Sequence, residues 1–201
     1  MRSEMDGVLG RVLDGFASLG IEVLIGGSVA SSMRGVARMT NDIDIVADLK
    51  AGHVAPLVAE FGQEFYVYGE AVRDAIAAKS SFNLIHLETM IKIDVFIRKA
   101  TPWADSEWAR RTEARVWQGD DAPTAYVASS EDLIIQKLHW YRSGGSVSER
   151  QWADVTGMLK VQRAVLDYAY MQHWASRRGV ANLLEQALIE AAEPGANAAE
   201  E

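Results

Sequence analysis

The chain has no cysteine, which removes disulfides and cysteine-ligated zinc and fits a reducing cytoplasm. Basic residues are in the minority: 20 Lys and Arg stand against 28 Asp and Glu, a formal net charge of -8. Such a field opposes a large nucleic-acid partner unless a local basic patch offsets it. Long apolar runs are missing too. No stretch approaches the roughly 20 residues needed to cross a bilayer, and the mixed-charge start Met1-Arg2-Ser3-Glu4-Met5-Asp6 leads into no apolar segment of a secretion signal. The expectation is a cytoplasmic protein without a membrane partner. What is present is ordinary: hydrophobic residues make up 49% of 201, enough for a sizeable core.

No internal repeat is visible. Apolar residues at helical spacing predict a helix over Val8 to Leu19, closed by Gly20. Ile21 to Ile25 reads as a short buried strand broken by Gly26-Gly27, and Val29 to Gly35 as a second short helix. Asn41 to Leu49 alternates acids with isoleucines, the period of a strand. A helix over His53 to Phe61 follows, then strands over Phe65 to Tyr68, Phe82 to Leu87 and Met90 to Ile97, the last two joined by a turn at Glu88-Thr89.

The second half is helical in character. Helices are predicted over Asp105 to Arg115, Ser129 to about Arg142, Ser148 to Leu159, Val161 to Arg177 and Asn182 to Ala192. Ser129 is a cap with Glu131 and Asp132 in the first turn, where acids favour the positive end of the helix dipole. The fold class expected is α+β, a small mixed sheet flanked by helices and followed by a helical half. The organisation expected is a core over residues 1–100, a helical region over 101–193 and a frayed tail over 194–201. The helical half also offers a face for self-association.

Chemistry concentrates in two places. Residues two apart on a strand share a face, so Asp42 and Asp44 set two carboxylates side by side while Ile43 and Ile45 point into the core. Two such acids repel unless a cation sits between them. Oxygen-only ligands suit Mg²⁺ or Mn²⁺. Asp94, inside Lys92-Ile93-Asp94-Val95-Phe96-Ile97, is a third strand acid, costly to bury without a partner. If its strand pairs beside the first, three carboxylates could hold two metal ions about 3.5–4 Å apart. Gly26-Gly27-Ser28 lies between a strand and a helix, where glycine permits a tight turn and the helix start presents free N–H groups to a phosphate. A phosphate site beside an acid pair points to nucleotidyl or phosphoryl transfer.

Gly27-Ser28, Asp42-Ile43-Asp44 and the distal Asp94 together resemble the signature of the DNA polymerase beta-like nucleotidyltransferase superfamily. With Arg38-Met39-Thr40-Asn41 ahead of the acid pair, the pattern is closest to the AbiEii-like branch, which includes toxins of bacterial toxin–antitoxin systems. Two later stretches resemble that branch's helical motifs: Glu131-Asp132-Leu133-Ile134-Ile135-Gln136-Lys137-Leu138 and Arg150-Gln151-Trp152-Ala153-Asp154-Val155.

The resemblance implies a metal-dependent nucleotidyltransferase moving a nucleoside monophosphate from an NTP to an acceptor. Asp42, Asp44 and Asp94 would bind metal, with Asp94 also a candidate base. Gly26, Gly27 and Ser28 would hold the phosphates, Lys137 would contact the triphosphate, Asp154 would orient Lys137, and Arg38 would meet phosphate or brace the acid strand. Superfamily acceptors include tRNA ends, protein hydroxyls and small molecules such as aminoglycosides. The competing expectations are a small-molecule nucleotidyltransferase, a nucleotide-binding module without turnover and a toxin–antitoxin partner protein. For Lys137 the plain alternative is a snorkelling surface lysine beside Leu133, Ile134 and Leu138.

Overall fold

A computed structural model describes residues 2–36, 42–117 and 122–193. The chain divides into two compact units, one of Met1–Ala30 with Met39–Ala128, the other of Ser31–Arg38 with Ser129–Glu201. The tail expected over 194–201 lies outside the described residues.

The first unit is built on a seven-stranded mixed sheet. Its strands are β1 Val23–Ile25, β2 Asp42–Ala47, β3 Phe65–Tyr66, β4 Ser81–His86, β5 Lys92–Ile97, β6 Thr112–Arg115 and β7 Thr124–Val127. Their spatial order is β3-β4-β5-β2-β1-β7-β6. β2 lies between β1, antiparallel to it, and β5, parallel to it. β4 and β5 form the expected antiparallel hairpin.

The alternation read from sequence decides which side of the sheet is core. Ile43, Ile45, Ala47, Ile93, Val95 and Leu84 are fully buried on one face. The intervening residues Asp42, Asp44, Lys92 and Asp94 take the other. Helices α1 (Arg2–Ser18), α3 (Val54–Phe61), α4 (Gly69–Ala78) and α5 (Pro102–Arg110) complete the unit, and α2 (Gly27–Arg34) begins in it. Phe16, Phe61 and Phe65 stack in series at centroid separations of 5.5 and 5.4 Å, tying α1, α3 and β3 together.

In this unit α4, α5 and β6 differ from expectation. α4 was not anticipated, because its apolar side is reduced to Val72 and Ala75 within a stretch rich in small and charged residues. The helix expected to run to Arg115 stops at Arg110, and Thr112–Arg115 instead becomes strand β6, paired antiparallel with β7. Arg111 fixes that switch: its guanidinium stacks on Trp108 and Tyr126 at 4.8 and 4.4 Å and donates to Glu22 at 3.1 Å.

The second unit holds α6 Ser130–Ser143, α7 Glu149–Gln162, α8 Tyr168–Arg177 and α9 Ala181–Ala192. Ser129 caps α6 by accepting from the Asp132 amide at 3.1 Å, as its position predicts. The single helix expected over Val161 to Arg177 is interrupted. Asp167 caps α8 through the Tyr170 amide, and its own amide donates to Glu131 Oε1 at 2.9 Å. A new helix start is thereby made where apolar periodicity alone shows continuity. α6 packs on α7 and α8, and α7 on α9.

Candidate active site

The acid strand and the glycine turn are locked to each other. Gly26 donates its amide to the Asp44 carbonyl at 3.0 Å as the chain leaves β1. Gly27 opens α2 with a φ of 55°, a left-handed conformation that favours glycine. A side chain there also has no room: a Cβ on Gly27 would overlap the Asp44 carboxylate and lie 2.6 Å from the Asp44 Cβ. The Asp44 carboxylate therefore rests directly against the turn that carries Ser28 into the first turn of α2. We expect Gly27→Ala to combine backbone strain with displacement of Asp44. Stability should fall by about 1–3 kcal/mol in thermal or denaturant melts, and any activity that depends on Asp44 should fall with it.

The pairing of β2 with β5 brings the third acid alongside. Asp44 stands opposite Asp94, and Asp42 opposite Lys92. Since all four occupy the non-core positions of adjacent strands, they share one sheet face. Asn83 of β4 stands opposite Asp94 on the far side, extending the polar row to Asp44, Asp94, Asn83.

Lys92, on the same side of β5 as Asp94, is also part of this face. Its Nζ lies 2.8 Å from Asp94 Oδ2 and 3.8 Å from Asp42 Oδ1. The hydrogen bond to Asp94, followed by the charges of Asp94, Asp42 and Asp44, holds the Lys92 ammonium above its ordinary range. The signal for it was available in sequence, as Lys92 is two residues from Asp94 in an alternating strand.

Three carboxylates on adjacent strands form a hard, oxygen-only donor set that suits a divalent cation such as Mg²⁺ or Mn²⁺. Among the described residues, however, no group of three or more His, Cys, Asp or Glu is gathered tightly enough to hold a metal as the side chains stand. The Asp94 carboxylate is engaged by Lys92. Ser28 and the turn amides lie on the Asp44 side of the row. Arg38, with Met39, Thr40 and Asn41, lies outside the described residues.

Lys137 and Asp154 meet within the second unit, across α6 and α7. Lys137 Nζ donates to Asp154 Oδ2 at 2.7 Å and to Gln151 Oε1 at 3.2 Å. The two charged side chains are only 5% and 6% exposed. Lys137 is thus not a snorkelling surface lysine; its ammonium is turned inward to a carboxylate. Asp132, one helical turn and a half earlier, is fully buried and accepts from the hydroxyls of Ser129 and Tyr170, which makes it part of the α6 cap.

No family model matches the chain, and no curated protein matches it in sequence. Solved structures do match. The antibiotic-resistance factor ANT(2'')-Ia is similar in its solution structure at a TM-score of 0.58 and 13% identity, over 94% of this chain and 100% of that one. An antigenic nucleotidyltransferase-like protein from Paracoccidioides brasiliensis is similar at 0.58 and 17% identity, over 93% of each chain. The crystal structure of ANT(2'')-Ia in complex with adenylyl-2''-tobramycin is similar at 0.58 and 11% identity, over 88% of this chain and 97% of that one. The chain therefore has a nucleotidyltransferase fold with a helical C-terminal half.

Proposed function

We propose that the protein is a metal-dependent nucleotidyltransferase. The observation that carries this reading is the in-register pair Asp44–Asp94, with Asp42 on the same face and Gly27 packed against Asp44, on a nucleotidyltransferase fold. The reaction is attack of an acceptor hydroxyl oxygen on the α-phosphorus of an NTP. The bond from that phosphorus to the β-phosphate bridging oxygen breaks, and pyrophosphate leaves. Asp42, Asp44 and Asp94 would hold Mg²⁺ or Mn²⁺, which when bound neutralises the charge of the phosphates during transfer. Asp94 is the proposed acceptor of the hydroxyl proton. The amides of Gly27 and Ser28 at the head of α2, with the Ser28 hydroxyl, are the proposed phosphate contacts, while Gly26 shapes the turn with its own amide held by the Asp44 carbonyl. Arg38, Lys137 and Asp154 join the nucleotide-binding set on the resemblance of their motifs, and the 2.7 Å contact between Lys137 and Asp154 supports the orienting role given to Asp154.

For the acceptor, the motifs around Arg38 to Asp44, Lys137 and Asp154 favour the AbiEii-like branch, hence a toxin-like enzyme acting on tRNA and kept in check by a cognate antitoxin protein. A second reading, a small-molecule hydroxyl, is favoured by the similarity to ANT(2'')-Ia, whose crystal structure holds adenylyl-2''-tobramycin. The test is calorimetry of each NTP with Mg²⁺ against the wild type and Asp42→Ala. Binding of at least one NTP that weakens about tenfold or more in the variant is expected. No binding of any NTP by the wild type overturns the enzyme reading in favour of an interaction protein.

A further inference from the structure

The carboxylate face carries its own cation. Asp42, Asp44 and Asp94 crowd one face of two paired strands, an arrangement that repels itself unless positive charge is placed within it. Lys92 is in that row, opposite Asp42 and two residues from Asp94, with its ammonium 2.8 Å from one carboxylate and 3.8 Å from another. The Asp94 oxygen that Lys92 holds belongs to the same carboxylate that the metal reading requires.

We propose that Lys92 is an internal counter-ion which occupies the carboxylate face in the nucleotide-free protein and has to leave it when a divalent ion enters. The inference rests on the metal role proposed above. Three features favour displacement over permanent occupation. The Lys92 side chain is 39% exposed, so its ammonium has solvent to move into. Its stem is a flexible four-carbon chain with a compact, strongly hydrated charge at the end. A single exposed ion pair is also weak beside coordination by several carboxylates. The consequence is a tuned affinity. Without nucleotide, a divalent ion must displace Lys92 unaided and binds weakly. When the ion arrives with a triphosphate, the phosphate oxygens offer Lys92 a new partner as it gives up Asp94. Lys92 is accordingly a positioning residue that couples metal entry to nucleotide entry.

The experiment is Mn²⁺ titration followed by electron paramagnetic resonance of the free ion, on the full chain, in wild type, Lys92→Met, Lys92→Gln and Lys92→Arg. The neutral variants are expected to bind Mn²⁺ about tenfold tighter than wild type, a difference of about 1.4 kcal/mol. Lys92→Arg, which keeps the charge, is expected to stay close to wild type. In thermal melts without metal the neutral variants should be less stable, and Mn²⁺ should raise their Tm by more than it raises that of the wild type. Adding Asp44→Asn to Lys92→Met should abolish the gain. Equal or weaker Mn²⁺ binding by both neutral variants overturns the inference while leaving the metal-dependent reading in place. A gain that survives Asp44→Asn overturns it as well, because the ion is then elsewhere. If neither wild type nor variant binds Mn²⁺ with or without NTP, the metal-dependent reading itself falls, and the inference with it.

Discussion

Asp44→Asn should lower nucleotidyl transfer by about a thousandfold or more, ~4 kcal/mol of barrier, without loss of stability. The substitution keeps the shape that rests against Gly27 and leaves the backbone bond from Gly26 to the residue 44 carbonyl untouched. What it removes is one negative charge from the face shared with Asp94 and Asp42. Like charges directly opposite on paired strands destabilise a sheet, so the melting temperature of the metal-free variant should equal or exceed that of the wild type. A fall in activity with a steady or rising Tm separates a charge that serves the reaction from one that serves the fold. If Asp44→Asn instead melts early and its residual activity tracks the folded fraction, Asp44 is a structural residue and its proposed role fails.

Lys137→Met is expected to cost about 3–5 kcal/mol of stability. The substitution removes the ammonium from a carboxylate whose side chain is 6% exposed, and nothing in the apolar replacement can donate to it. The double variant Lys137→Met with Asp154→Leu should recover most of that loss, because neutralising both members of a buried pair restores a consistent apolar contact between α6 and α7. Denaturant melts of the two single variants and the double variant measure the coupling directly. The same set addresses function. A double variant that is stable but transfers nothing assigns the pair a role toward the nucleotide, whereas one that is stable and fully active confines the pair to the packing of α6 on α7.

How much of this could be read from the residues follows from the range of the signals. Period-2 alternation is local, and it placed Asp42 and Asp44 on one face of β2 and Asp94 on the polar face of β5. Which strand lies next to which is not local. The parallel register that sets Asp44 opposite Asp94 depends on the whole seven-strand order, so sequence supports it only as a condition. Lys92 is legible in part: alternation puts it beside Asp94, but its second acidic neighbour, Asp42, is opposite it only once β2 and β5 pair. The α6 start was legible because Ser129, Glu131 and Asp132 act within one turn of each other. The start of α8 was not, since Asp167 is held partly by Glu131, 36 residues away. β6 was hidden because Thr112–Arg115 is mostly exposed and becomes a strand only by pairing with β7. Lys137 shows the limit in another way: a lysine on an apolar helix face looks the same in sequence whether it reaches solvent or a buried carboxylate.

The Asp42, Asp44 and Asp94 face is the proposed seat of nucleoside monophosphate transfer. The most direct measurement is incubation of the protein with Mg²⁺ or Mn²⁺ and each α-phosphate-labelled NTP, with total tRNA or an aminoglycoside as acceptor, beside Asp44→Asn under the same conditions. Label should pass to one acceptor class with the wild type and metal present, and be lost with chelator or with the variant. Label transfer that proceeds undiminished in Asp44→Asn would mean that the carboxylate face is not where transfer takes place.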